Sequence, residues 1–93
     1  MKRPDRLSWD AAKATTNVQK HGVSFDVADT FGFETSFVAT DDRKDYGEIR
    51  EVALGLIGER LHTLVFTMRN SVCHVISLRK SNRKEIETYV ENL

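Results

Sequence analysis

Within Val52–Leu56, Leu64–Met68 and Ile76–Leu78 apolar side chains return at every second position, and turn residues at Gly58-Glu59-Arg60 and at Asn70-Ser71 separate these runs. A period of two marks extended chain with one face packed and the other open. Runs of this length joined by two or three turn residues leave little choice but antiparallel hairpins. Three strands follow: Ile49–Gly58 with Val52, Leu54 and Leu56 on one face, Leu61–Arg69, and Val72–Arg79. Phe37–Thr40 predicts a short fourth strand, separated from the others by the polar loop Asp41–Gly47.

The N-terminal third has a different rhythm. Trp9 to Gly22 predicts a helix. Asp10 is a good N-cap, because its carboxylate can accept the free N–H groups of the first turn. Ala11, Ala14 and Val18 form an apolar stripe, and Gly22 supplies the left-handed stop. Ser24 caps a second helix in which Phe25, Ala28 and Phe31 share one face, and Gly32 ends it. After the last strand, Ser81 or Asn82 opens a helix running to about Asn92, with Ile86, Tyr89, Val90 and Leu93 as its packing side. The expected fold is α+β in the order ααββββα: an N-terminal two-helix hairpin, a four-stranded antiparallel sheet and a C-terminal helix.

Register decides what the sheet exposes, since paired residues point to the same side. A two-residue turn at Asn70-Ser71 would pair Arg69 with Val72 and send Arg69 and Arg79 to opposite faces. A three-residue loop, Asn70-Ser71-Val72, pairs Arg69 with Cys73. It gathers Leu64, Phe66, Met68, Ile76 and Leu78 on an apolar face and Thr63, Thr67, Arg69, Ser77 and Arg79 on a polar one. Register follows the hydrophobic pattern, so the three-residue loop is expected, with His74 on the packed side.

At 93 residues the chain predicts one domain, residues 1–93, with 40% hydrophobic residues to fill its core. The single Cys73 excludes an internal disulfide and fits the reducing cytoplasm. No apolar run approaches the ~18 residues of a membrane span. Lys+Arg and Asp+Glu are equal at 14 each, which argues against a protein that coats nucleic acid broadly. The sum hides a pattern. Residues 20–59 carry four bases and nine acids, whereas residues 60–84 carry six bases and no acid. That acid-free stretch makes a local positive field.

The run Trp9-Asp10, Lys13, Asn17 and Lys20-His21-Gly22-Val23-Ser24-Phe25 is distinctive. So is the ending Arg69, Val75-Ile76-Ser77-Leu78-Arg79-Lys80, Arg83-Lys84-Glu85 and Tyr89. Together, at this spacing, they resemble the BrnT toxins over nearly the whole chain. The resemblance implies a compact fold like that of RelE-type ribonuclease toxins. It also implies an antitoxin partner of the BrnA type, which carries a ribbon-helix-helix domain and through which the pair would reach operator DNA. His74 departs from the family pattern, where arginine is usual. Leu7-Ser8 departs too, replacing a Phe-Glu type pair.

RNA carries its own nucleophile, the ribose 2′-hydroxyl, so a minimal nuclease need only orient it, neutralise the phosphate and manage two protons. Guanidinium forks suit the charge role, which makes Arg69 and Arg79 the leading catalytic candidates. His21 is a candidate acid or base, although a histidine in a last helical turn can equally serve the helix dipole. Glu85 could position an arginine or act as a base. Lys80, Arg83 and Lys84 would bind RNA phosphates, and Tyr89 could stack on a base. No cofactor is expected. His21, His62 and His74 lack metal-ligand spacing, and one cysteine cannot build a zinc site. Two readings compete: a metal-independent ribonuclease that halts translation, and a non-enzymatic module whose positive face only holds an antitoxin and supports operon autoregulation.

Overall fold

The computed structural model describes residues 1–93. Its elements are β1 (Arg6–Trp9), α1 (Ala11–His21), two 3-10 helices (Phe25–Thr30 and Phe33–Thr35), β2 (Phe37–Asp41), β3 (Arg50–Ile57), β4 (Arg60–Arg69), β5 (Val72–Lys80) and α2 (Arg83–Glu91). The sheet has five strands in the order β1-β5-β4-β3-β2. Strands β2 to β5 form an antiparallel meander, and β1 adds to β5 in parallel. The expected four-stranded antiparallel sheet is therefore corrected to a five-stranded mixed one. The unforeseen strand covers only four residues, and its partner lies more than sixty residues away.

The expected helical hairpin is also corrected. Helix α1 is present with the expected caps: Asp10 accepts from the Lys13 N–H, and Gly22 turns left-handed at φ 71°. Its partner is not an α-helix. Phe25, Ala28 and Phe31 are spaced by strict threes, which matches the three residues per turn of a 3-10 helix. Ser24 caps it as expected, accepting from the Asp26 N–H. All three apolar side chains are buried. They join Val23, Phe33, Ala53, Leu64, Phe66, Cys73, Val75 and Leu78 in one core between this segment and one face of the sheet. The fit is close at Gly55, where a Cβ would stand 2.5 Å from Phe31 Cζ.

Two features set the register of β4 and β5, and both differ from expectation. The turn has two residues, with Asn70 at φ 59°, and Arg69 pairs with Val72. Further along, Phe66 pairs with Val75 but Val65 with Ser77, so Ile76 is the extra residue of a β-bulge. The short turn shifts the register by one residue and the bulge shifts it back. Arg69 and Arg79 consequently do share the open face, by a different route from the one expected. Between turn and bulge the side chains swap: Cys73 and Val75 enter the core, while His74 lies opposite Thr67 on the open face.

Beyond Trp9 the outer edge of β5 has no strand beside it. Asn17 of α1 takes that place. Its Nδ2 donates to Leu78 O at 2.7 Å and to Val23 O at 2.9 Å, and its Oδ1 accepts from Leu78 N at 3.2 Å. One buried amide thus serves as a single-residue strand and fixes α1 along the sheet edge. At the other end, Asn82 and Glu85 form a capping box that starts α2. The apolar side expected for α2 is corrected: Ile86, Val90 and Leu93 stay exposed.

Candidate nucleic-acid interface

The open face of the sheet carries Arg79, Ser77 and His74 from β5, Val65 and Arg69 from β4, and Val52 and Arg50 from β3; Thr63 and Thr67 share its side but are buried, bonded to Ser81 Oγ and Ile49 O. Helix α1 walls one side. Lys13, Thr16, Asn17, Lys20 and His21 line a groove of about 210 Å³ together with Ile76 and Ser77. The loop after β2 rims the other side. There Asp41 is held by Arg43 (Nε to Oδ1 2.8 Å, Nη2 to Oδ2 2.9 Å) and by the Tyr46 hydroxyl at 3.2 Å. The Arg43 hydrogen bonds bring the Asp41 carboxyl down to about 2. The Arg50 guanidinium lies 3.9 Å over the Tyr46 ring.

The four residues expected to act together divide between two ends of this face. At one end Arg79 and Glu85 form a fork-to-fork pair, with Nη1 to Oε1 and Nη2 to Oε2 both at 2.8 Å. Glu85 Oε1 also accepts from Asn82 N at 2.9 Å. Burial works to raise the Glu85 carboxyl, but the Arg79 fork and the Asn82 N–H outweigh it, leaving the group below its ordinary range. His21 belongs to this end. Its pKa is lowered by burial and then by the charges of Lys20 and Arg79.

Arg69 belongs to the other end, where Nη2 donates to Glu48 Oε1 at 3.1 Å. This bond holds the Glu48 carboxyl below its ordinary range. His74 stands beside it, with Nδ1 2.9 Å from Ser8 Oγ on β1. Burial lowers its pKa, and the nearby Arg69 charge lowers it further. Four residues lie between His74 and Arg79, one of them taken up by the bulge, so the two sit opposite Thr67 and Thr63, about 13 Å apart at ~3.3 Å per residue.

The remaining expected RNA contacts lie outside this cleft. Lys80 alternates to the opposite face from Arg79, pairing with His62. Arg83 is almost fully exposed and 3.7 Å from Glu87. Lys84 is exposed on α2. The Tyr89 hydroxyl donates to Thr35 O at 3.3 Å, tying α2 to the second 3-10 helix. Lys13 and Lys20 line the groove, and Ser8, Arg50 and His74 share the open face, but none was among the expected site residues. The helical spacing of Lys13, Asn17, Lys20 and His21 places all four on one side of α1, and that signal was available in the sequence. Cys73 is sealed in the core, where burial pushes its thiol up to about 12. No group of three or more His, Cys, Asp or Glu side chains is gathered as a metal site would require.

A mixed five-stranded sheet with its core on one face and Arg50, Arg69 and Arg79 on the other defines a small α+β protein. The comparisons give that class a family. The sequence pattern of the BrnT ribonuclease toxins of type II toxin-antitoxin systems matches residues 9–85, and the chain belongs to that family. Its structure resembles the crystal structure of the Brucella abortus ribonuclease toxin BrnT, with a TM-score of 0.66 at 24% identity. The likeness covers 84% of this chain and 97% of that one. None of the curated proteins matched the sequence.

Proposed function

We propose that the open face cleaves RNA without a metal, inhibiting translation in the cytoplasm as RelE-type toxins do. In this reading the strand lies along the groove beside α1. The ribose 2′-hydroxyl attacks the adjacent phosphorus, and the 5′-oxygen leaves. Arg79 neutralises the charge that builds on the phosphate oxygens. Glu85 holds the Arg79 fork in its plane, His21 beside it exchanges a proton with the reacting oxygens, and Arg69 holds a neighbouring phosphate. Lys80, Arg83 and Lys84 add non-specific attraction, and Tyr89 braces α2. A BrnA-type antitoxin with a ribbon-helix-helix domain would neutralise the toxin by covering this face, and would carry the pair to operator DNA.

The observation that carries the reading is the Arg79–Glu85 pair, aligned through both nitrogens on the open face of a BrnT-family sheet. The same saturation favours a second reading. A fork already occupied by a carboxylate suits a corepressor that only binds its antitoxin. Induced expression of the wild type beside Arg69→Ala and Arg79→Ala, with RNA integrity followed on gels, separates the two. Growth arrest and RNA loss for the wild type alone is expected. Equal RNA loss from folded Arg79→Ala removes the arginine from the chemistry. Intact RNA with tight antitoxin binding selects the corepressor.

A further inference from the structure

We propose that the His74 end of the open face is a second phosphate subsite, in which His74, Arg69 and Lys13 hold another phosphodiester of the RNA strand, beyond the one adjacent to the bond being cut. This rests on the ribonuclease reading, and assigns a task beside Arg69 to His74 and Lys13, which that reading leaves unused.

Several observations converge there. His74 is half-buried on the open face, and its Nδ1 is fixed by Ser8 Oγ at 2.9 Å. That bond orients the ring and leaves Nε2 as the nitrogen able to meet a ligand. Its charged neighbours come from every element around it. Strand β1 carries Arg6 further along the face of Ser8, through its pairing with Val72. Strand β4 contributes Arg69, and the segment before β3 contributes Glu48. Helix α1 contributes Lys13 and Asp10. Two fixed cations, Arg69 and Lys13, stand against two carboxylates, Glu48 and Asp10, around the imidazole, so a proton on His74 tips this end positive. With a spacing of about 13 Å from Arg79, the two ends can engage one strand at separate phosphates.

The arrangement makes binding at this end proton-linked. Burial first, and then the Arg69 and Lys13 charges, favour the neutral ring in the free protein. A bound phosphate brings negative charge against the imidazole and raises its pKa, so the protonated form binds more tightly. Affinity must therefore rise as pH falls. A neighbouring opposite charge shifts a pKa by ~1–3 units, and one unit corresponds to about a tenfold change in affinity.

The test uses a fluorescein-labelled 2′-O-methyl RNA oligonucleotide, which cannot be cleaved, and follows its Kd by anisotropy between pH 7.5 and 5.5. For the wild type, Kd is expected to fall about tenfold over this range. His74→Gln keeps a ring-sized polar group without the charge, and should lose most of that change. His74→Arg should bind tightly with little pH dependence. Arg60→Gln removes a charge away from this face and should retain the wild-type slope. If folded His74→Gln shows the same pH dependence as the wild type, the subsite is wrong, whether or not RNA is cleaved. If unmodified RNA stays intact while the linkage disappears with His74→Gln, the ribonuclease reading fails and the subsite stands.

Discussion

Asn17 is the residue whose loss tests the architecture most directly. Replacing it with alanine strips the partners from Leu78 N–H and Leu78 C=O, and removes one donor from Val23 O. Leu78 is wholly buried. A buried backbone group left unpaired costs about 1–3 kcal/mol, so the two Leu78 groups together set a range of about 2–6 kcal/mol. Asn17 also lines the groove beside α1, and water entering there would partly replace it, which favours the lower part, about 2–4 kcal/mol. For a domain of this size each kcal/mol moves Tm by ~4–8 °C. Thermal melting followed by circular dichroism should therefore show Asn17→Ala unfolding roughly 8–30 °C below the wild type. Urea titration should show a lower midpoint with the slope unchanged, because the surface exposed on unfolding hardly differs. A stability within about 0.5 kcal/mol of the wild type, the scatter of an ordinary surface change, would refute the claim that this amide substitutes for a strand.

Two further outcomes follow from the packing and the charges. Gly55→Ala pushes a methyl group into the Phe31 ring, and overpacking of this kind should cost about 1–3 kcal/mol by urea unfolding. Glu85→Gln tests the Arg79 pair through pH. The folded carboxyl lies below its ordinary value, so the stability it confers is complete above the unfolded pKa of ~4.3 and is lost as pH falls through the folded one. Acid titration of stability should show a shallower decline below pH ~5 in Glu85→Gln than in the wild type.

The parts of the fold visible in the sequence are those governed by near neighbours. The Asp10 and Ser24 caps, the Gly22 stop, the Asn82-Glu85 capping box and the three long strands all depend on residues a few positions apart. What stayed hidden depends on distant partners. Arg6–Trp9 is too short to show a period, and only β5 makes it a strand. The bulge at Ile76 leaves no local mark either, since Val75-Ile76 is apolar in any register. A single extra residue there decided that His74 would face outward and Cys73 inward. The candidate site was half legible for the same reason. Arg79 and Glu85 are six residues apart and meet through a strand-to-helix turn. The His74–Ser8 contact spans 66 positions, and Arg69–Glu48 closes across 21.

The parallel addition of β1 to β5 also has a consequence in time. Synthesis runs from the N-terminus, so β1 is made before the other strands of the sheet. Yet its only strand partner is the last strand of the sheet. Until that strand appears, β1 has nothing to pair with, the edge that Asn17 closes does not exist, and α1 has no sheet to lie along. Arg79 and Glu85 follow on β5 and at the start of α2. A growing chain can therefore pair β3 with β4, but the groove beside α1 and the Arg79–Glu85 pair form only once β5 and α2 have been made.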